Sequence, residues 1–218
     1  MPIKKKFQQW KEYSKMSDLG IIVRRKFFNN AFDGALTCAG IVSGIFIIFL
    51  ADPLKFESQQ VLITGFATAA AIGISGLWGA FLSEEAERKK KVMDIKKDMA
   101  IVKEENLDLE SRREKSKNKK ENNSKTIIGK AENFATIVAS LVDGGAPVLG
   151  SSLPLIPFFF GVSLTLFHFI FSYVILAGLL IYLGVFLGQI SGGGRLRYAL
   201  HLITAGVVTL IVSILLGL

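Results

Sequence analysis

Residues 61–82 read VLITGFATAAAIGISGLWGAFL, a stretch of 22 residues without one charged side chain. As an α-helix it would be about 33 Å long, enough to cross the ~30 Å hydrocarbon core of a bilayer. Four further apolar runs are long enough to do the same, and two of them contain one charged residue each, Asp33 in the first and Asp143 in the second. These runs are Ala31–Leu50, Phe134–Phe160, Gly161–Ile190 and Ala199–Leu218. The sequence therefore predicts an all-α integral membrane protein with five transmembrane helices.

Positive charge lies almost entirely on one side of these spans. Of the 26 Lys and Arg residues, eight precede the first span, 15 lie in residues 83–130 and two lie between spans four and five. Only Lys55 lies on the other side. The positive-inside rule then predicts a cytoplasmic N-terminus and insert and an external or lumenal C-terminus, with the cell membrane as the expected location. The net charge of +8 follows from this topology, and nucleic-acid binding is not expected.

The same runs divide the chain into four parts. Residues 1–26 are a basic cytoplasmic segment, 27–82 hold helices 1 and 2, 83–130 form a cytoplasmic helical insert and linker, and 131–218 hold helices 3 to 5. An apolar stripe at helical spacing gives the insert one face that packs either on a second subunit or on its own membrane domain. The stripe consists of Val92, Ile95, Met99, Val102 and Leu109. The polar run Lys115–Lys125 predicts a linker.

Two aspartates lie within apolar spans, Asp33 in span one and Asp143 in span three. An ionised Asp at the centre of a membrane helix costs about 2.5–3.5 kcal/mol on insertion scales, so it usually faces a cavity or a partner. Asp33 has an alternative interpretation, as a helix N-terminal residue that stabilises the helix dipole near the interface. Two carboxylates suit a hard divalent cation, and without the cation they would have to bind protons. The pair therefore predicts a metal site that exchanges metal for protons.

Small and hydroxyl-bearing residues share helix faces with these carboxylates and predict a translocation path. The predicted path residues are Thr37, Gly40, Gly44, Thr68, Ser75 and Pro147. Asp33 and Asp143 are each followed by Gly at the next position and by another Gly seven residues after the Asp. An internal repeat of spans one and three would produce this shared spacing, and so would chance.

Two glutamates, Glu84 and Glu87, lie one helical turn apart at the inner end of span two and predict a second cation site. The alternative is a solvated helix face, since the insert is rich in lysines that pair with carboxylates. The two histidines, His168 and His201, are single imidazoles in apolar spans, and we expect each to make a structural hydrogen bond between helices.

Three motifs resemble the vacuolar iron transporter family: NAFDGALT at 30–37, LSEEAE at 82–87 and LPLIPFFF at 153–160. The resemblance implies a five-helix homodimer that exchanges Fe²⁺ or Mn²⁺ for protons. It also implies that Asp33 is a metal ligand and that Glu84 and Glu87 begin a cytoplasmic metal-collecting helix. The position matching the family's span-two methionine is Ile74, which leaves a harder, all-oxygen site and makes the chain a divergent member.

The function predicted from these features is proton-coupled export of a divalent cation from the cytosol, with no enzymatic activity and no resident cofactor. Its expected partners are the metal ion, protons, the lipid bilayer and a second copy of the chain. A non-transporting membrane scaffold, whose basic insert docks a partner or anionic lipid, is the alternative. An aspartyl intramembrane protease is less well supported, because the Gly-Xaa-Gly-Asp context of that class is missing.

Overall fold

The computed structural model describes residues 10–15, 19–104 and 127–217. Within these residues the chain forms five long helices, and a 3₁₀ helix, Leu153–Phe159, continues the third. They are α1 (Leu19–Ala51), α2 (Ser58–Glu104), α3 (Ile127–Ser152), α4 (Leu166–Ser191) and α5 (Arg195–Gly217). All five contain a segment long and apolar enough to cross a membrane. The predicted five-span, all-α membrane architecture is confirmed over the part of the chain that the structure describes.

Helix α1 begins at Leu19, whereas hydropathy alone placed the start of the first span at Ala31. The additional turns carry the basic residues Arg24, Arg25 and Lys26, which a hydropathy window excludes although they continue the same helix. Asp33 therefore lies about four turns inside α1. The alternative interpretation of Asp33 as a helix N-terminal residue is wrong.

The third span changes from an α-helix to a 3₁₀ helix where its prolines accumulate. Proline has no N–H and its ring clashes with the carbonyl four residues earlier, so it removes helical hydrogen bonds. Two serine hydroxyls bond the carbonyl oxygens of the prolines themselves: Ser151 Oγ donates to Pro147 O at 2.7 Å, and Ser172 Oγ donates to Pro154 O at 2.7 Å. The third span is an α-helix as far as Ser152, with Pro147 inside it, and continues as the 3₁₀ helix Leu153–Phe159.

Glycines bring the backbones of α1, α2 and α3 into close contact. A β-carbon at Gly34 of α1 would lie 2.1 Å from the carbonyl oxygen of Pro147, and one at Gly76 of α2 would lie 2.5 Å from that of Asp143. Both distances are far below van der Waals contact, so neither position accepts a side chain without movement of the helices. Small residues permit such close approach of membrane helices. The backbone around Asp143 is held between α1 and α2 in this way.

Aromatic packing around Phe169 anchors the opposite end of α1 to α4. The Phe169 ring is 1% exposed, and its centroid lies 5.0 Å from Phe46, 5.1 Å from Phe49 and 5.5 Å from Phe158. Aromatic pairs at such distances stabilise a contact by about 0.5–1.5 kcal/mol beyond their buried area. The cluster fixes the 3₁₀ segment and the first turns of α4 against α1.

His168 is a structural residue, as the sequence predicted. The backbone N–H of Thr165 donates to its Nδ1 at 3.1 Å, which places the ring proton on Nε2, 2.7 Å from the carbonyl oxygen of Phe160. The imidazole therefore ties the loop after the 3₁₀ helix to the first turn of α4. His201 is exposed, and its Nδ1 lies 2.7 Å from the carbonyl oxygen of Arg197 on its own helix.

We expect His168→Ala to lower the free energy of unfolding by about 1–2 kcal/mol, because it leaves the part-buried carbonyl of Phe160 and N–H of Thr165 without their partner. His201→Ala is the matched control, and its effect should stay within about 0.5 kcal/mol. Reversible unfolding in detergent, followed by circular dichroism, measures both variants. Equal effects of the two substitutions would contradict the structural assignment of His168.

The chain divides into two compact units. Their bounds are Met1–Arg24 with Leu77–Leu141, and Arg25–Gly76 with Val142–Leu218. In the first unit Trp10 stacks on Phe134 with 6.0 Å between ring centroids. The predicted apolar stripe of the insert and its linker lie outside the described side chains. The division at residues 26, 82 and 130 stays a prediction.

Candidate cation site

A cleft of about 400 Å³ lies where α1, α2 and α3 meet. It is lined by Asn30, Asp33, Ala71, Ile72, Ser75, Gly76, Asp143 and Pro147. Two carboxylates from different helices, one amide and one hydroxyl therefore share a small cleft whose other walls are small or apolar. The two aspartates that the sequence singled out independently lie together in this cleft.

The cleft lies near one edge of the hydrocarbon core. Asp33 precedes the end of α1 at Ala51 by 18 residues, which is about 27 Å along the helix axis. Asp143 precedes the end of the 3₁₀ segment at Phe159 by about 28 Å on the same reckoning. A ~30 Å core whose one surface lies at these two helix ends would have its other surface close to both carboxylates, on the side at which α1 begins.

Asp143 is the buried carboxylate of the cleft, with 12% of its side chain exposed. Its Oδ2 forms a salt bridge with Lys26 Nζ, and its Oδ1 accepts a hydrogen bond of 2.8 Å from Asn30 Nδ2. Both partners come from α1, one helical turn apart. Each carboxylate oxygen thus has a donor, and the charge of Asp143 is balanced inside the protein.

The amide of Asn30 has a defined orientation. Its Nδ2 donates to Asp143 Oδ1 at 2.8 Å and to the carbonyl oxygen of Lys26 at 2.9 Å. Because both partners are acceptors, the nitrogen must face them, and the amide oxygen faces away from them. Asn30 therefore adds a neutral oxygen to the lining of the cleft.

Asp33 differs from Asp143 in its environment, because its side chain is exposed in the single chain. Thr37 Oγ1 bonds the backbone carbonyl of Asp33, at 2.9 Å, and not its carboxylate. With Asp33, Asp143 and Lys26 charged, the cluster carries one net negative charge. It is electrostatically suited to a cation.

Of the predicted path residues, Ser75 and Pro147 line the cleft. The others lie outside its lining: Thr37, Gly40, Gly44 and Thr68. The hydroxyl of Thr68 donates to the carbonyl oxygen of Thr64 at 2.8 Å, within its own helix. A role for these four residues in a translocation path stays a prediction.

Glu84 and Glu87 lie on the part of α2 that belongs to the other compact unit. Glu84 is half-buried and Glu87 is exposed. Among the residues that the structure describes, no three His, Cys, Asp or Glu side chains converge to form a metal centre. A cation at Glu84 and Glu87 stays a prediction.

Sequence reasoning missed Lys26 and Asn30, which are the two partners of Asp143. Lys26, Asn30 and Asp33 follow each other at i, i+4 and i+7, so they share one face of α1. The predicted path continues this face from Asp33 to Gly44, whereas Lys26 and Asn30 precede the apolar run, which begins only at Ala31. Extending the stripe by two turns toward the N-terminus would have found both residues.

Comparison with known proteins gives two matches. A family model described as the VIT family matches residues 25–218, which includes every residue that lines the cleft. The uncharacterized protein MJ0645 of Methanocaldococcus jannaschii is 28% identical over 160 residues, which cover 73% of this chain and 70% of that protein.

Proposed function

This chain belongs to the VIT family, a family of metal transporters, and from that premise we propose that it moves a divalent cation held between Asp33 and Asp143. The observation that carries the proposal is the cleft. Carboxylates from α1 and α3 line it together, although they are more than 100 residues apart in the chain. Apolar spans do not bring two carboxylates together without a cation or an equivalent counter-charge to balance them.

The ligands that the cleft offers are all oxygens. Asp33, Asp143, the amide oxygen of Asn30 and the hydroxyl of Ser75 form a hard donor set without thiolate or imidazole. Carboxylate and carbonyl oxygens suit Mn²⁺, the resemblance to the vacuolar iron transporter family adds Fe²⁺, and Cu⁺ is disfavoured because it prefers thiolate and thioether sulfur. We therefore propose Mn²⁺ and Fe²⁺ as the transported ions.

Charge and depth support a proposal for the direction of transport. The cleft lies at the edge of the membrane where α1 begins, and the basic residues 24–26 mark that edge as the cytoplasmic one. A cation from the cytosol would reach the cleft without crossing the hydrocarbon core. We propose that it leaves on the opposite side, so that the protein exports metal from the cytosol, as a protein of the cell membrane.

Exposure of Asp33 supports a homodimer. An ionised carboxylate that faces lipid is unfavourable even near the membrane surface, although it costs less there than the value of about 2.5–3.5 kcal/mol at the bilayer centre. A second copy of the chain, packed over the open side of the cleft, would shield Asp33 and close the site. After the cation leaves, a proton on Asp33 would neutralise it, which couples metal export to proton entry.

A flux assay in liposomes tests the proposal. Purified protein is reconstituted with an internal metal-sensitive dye and an acidic interior, and Mn²⁺, Fe²⁺, Co²⁺ or Zn²⁺ is added outside. Uptake of Mn²⁺ and Fe²⁺ should be accompanied by alkalinisation of the interior, which a pH-sensitive dye reports. Failure of all four ions to enter would refute the transport function, and uptake without proton flux would refute proton coupling alone.

Asp33→Asn should reduce Mn²⁺ uptake at least about tenfold, since the amide keeps the shape of the side chain but loses the charge that binds the cation. Because Asp33 is exposed, the substitution should change the thermal stability of the protein little. Asp52→Asn is the matched control: Asp52 is exposed beyond the end of α1, and its loss should leave uptake unchanged. Equal uptake by the two variants would remove Asp33 from the site.

A further inference from the structure

Lys26 places a positive charge inside the site that is proposed to bind a cation. Its ammonium forms the salt bridge with Asp143 Oδ2, and only 26% of its side chain is exposed. A transported divalent ion and this ammonium would need the same carboxylate. Resting on the proposed function, we propose that Lys26 is an internal competitor of the cation: it occupies Asp143 in the cation-free protein and leaves when the ion binds.

The charges of the cleft support an exchange of the ammonium for the ion. Asp33 and Asp143 together balance one divalent cation, whereas the same two carboxylates with Lys26 in place would leave an excess positive charge. Two cations on one carboxylate repel each other strongly where water is scarce. Occupancy by the metal ion and occupancy by Lys26 should therefore exclude each other.

Asn30 keeps Asp143 in place during this exchange. It bonds Asp143 Oδ1 at 2.8 Å and is itself anchored to the carbonyl oxygen of Lys26 at 2.9 Å. Loss of the lysine from Oδ2 leaves both of these hydrogen bonds possible. The carboxylate therefore stays oriented while one of its oxygens becomes free for the ion.

The Lys26 ammonium can reach water when it leaves Asp143. Lys26 lies seven residues before Asp33 on α1, which places its Cα about 10 Å nearer the membrane surface. Lysine side chains at such positions extend toward the headgroups and keep their charge in water. The carboxylate of Asp143 cannot reach water in this way, because it lies on the buried face of α3. The lysine is thus the member of the pair that can move.

A built-in cation also explains how an empty site can remain in the membrane. Without metal, an unpaired Asp143 would be a buried charge with no counter-ion, which is strongly unfavourable. Lys26 supplies that counter-ion from within the chain. The lysine thereby lowers the affinity for the metal and favours its release.

Binding of Mn²⁺ to the purified, full-length protein in detergent tests the proposal, with the free ion measured by its paramagnetic resonance signal. Lys26→Gln should bind Mn²⁺ about tenfold more tightly than the wild type, because the competing charge is gone. Arg25→Gln removes the same charge from an exposed neighbouring position and is the matched control, which should bind like the wild type. If Lys26 only supported the structure of the site, Lys26→Gln would bind Mn²⁺ more weakly. Tighter Mn²⁺ binding therefore distinguishes competition from structural support.

Lys26→Arg is the second variant. It keeps a cationic partner for Asp143, so it can be measured even if Lys26→Gln does not fold. A guanidinium holds a carboxylate through two parallel hydrogen bonds, so this variant should bind Mn²⁺ about fivefold more weakly than the wild type. Unchanged or weaker binding in folded Lys26→Gln, or unchanged or tighter binding in Lys26→Arg, overturns the competition while leaving transport intact. Absence of Mn²⁺ binding in the wild type and in every variant overturns the proposed function and the competition together.

Discussion

Asp143→Ala should reduce Mn²⁺ uptake at least about 100-fold and should also lower the free energy of unfolding by about 1–3 kcal/mol. The effect on transport is large because the variant removes a direct ligand, and even indirect ligands change metal affinity by about 10–100-fold. The stability falls because the amide of Asn30 loses its acceptor at a partly buried position, whereas the Lys26 ammonium can extend toward the headgroups. Flux in liposomes and unfolding in detergent measure the two effects separately.

A double variant separates stability from transport. Replacing both members of a buried ion pair by apolar residues is often neutral or stabilising, since neither charge is left unpaired. Lys26→Met with Asp143→Leu should therefore regain most of the stability that Asp143→Ala loses, while Mn²⁺ uptake stays absent. Recovery of uptake in the double variant would show that Asp143 serves only to pair with Lys26, and it would remove Asp143 from the cation site.

Gly34→Val should lower the free energy of unfolding by about 1–3 kcal/mol or more and reduce Mn²⁺ uptake at least about tenfold. A β-carbon at this position would lie 2.1 Å from the carbonyl oxygen of Pro147, so α1 and α3 must separate to accept it. Because the obstacle is backbone, no change of rotamer relieves it. Separation of the helices would move Lys26 and Asn30 away from Asp143, which explains the loss of both properties.

Gly44→Val is the matched control on the same helix. A β-carbon at Gly44 meets no atom within 4 Å, so the substitution should leave stability within about 1 kcal/mol of the wild type. Unfolding in detergent is measured for both glycine variants, and Mn²⁺ flux is compared between Gly34→Val and the wild type, because Gly44 belongs to the predicted translocation path. If Gly34→Val and Gly44→Val behave alike, the close contact of α1 with α3 does not hold the site together.

The number of spans was predictable because apolar length is a one-dimensional property of the chain. The uncharged residues 61–82 and the four comparable runs correspond to five long helices. The start of α1 was not predictable in this way. Arg24, Arg25 and Lys26 end the apolar run but not the helix, since a charged residue continues a helix wherever its side chain finds water or a counter-ion.

The sequence predicted the two carboxylates of the site but not the partners of Asp143, which lie outside the apolar runs. Asp143 was identified from its burial in an apolar run, and Asp33 from its motif, because an acidic residue in such a run needs a partner. The identity of that partner depends on which helix faces meet, and that is set by the close contact at Gly34 and Gly76. Nothing in the local sequence of α3 indicates that Lys26, 117 residues away, would pair with Asp143.

The insert remains the part of the protein whose role rests on sequence alone. Glu84 and Glu87 are one turn apart on α2, but the described residues place no third metal-ligating side chain beside them. The proposed transport through the cleft does not require them. Their proposed role in collecting metal is therefore independent of the site formed by Asp33 and Asp143.

The central claim is that Asp33 and Asp143 bind one and the same transported cation. Anomalous X-ray diffraction from crystals of the wild-type protein grown with Mn²⁺ tests it most directly. We expect one strong peak in the cleft, about 2.1–2.3 Å from a carboxylate oxygen of each aspartate, with the Lys26 ammonium no longer on Asp143. Mn²⁺ bound only at Glu84 and Glu87, with Lys26 still paired to Asp143, would contradict it.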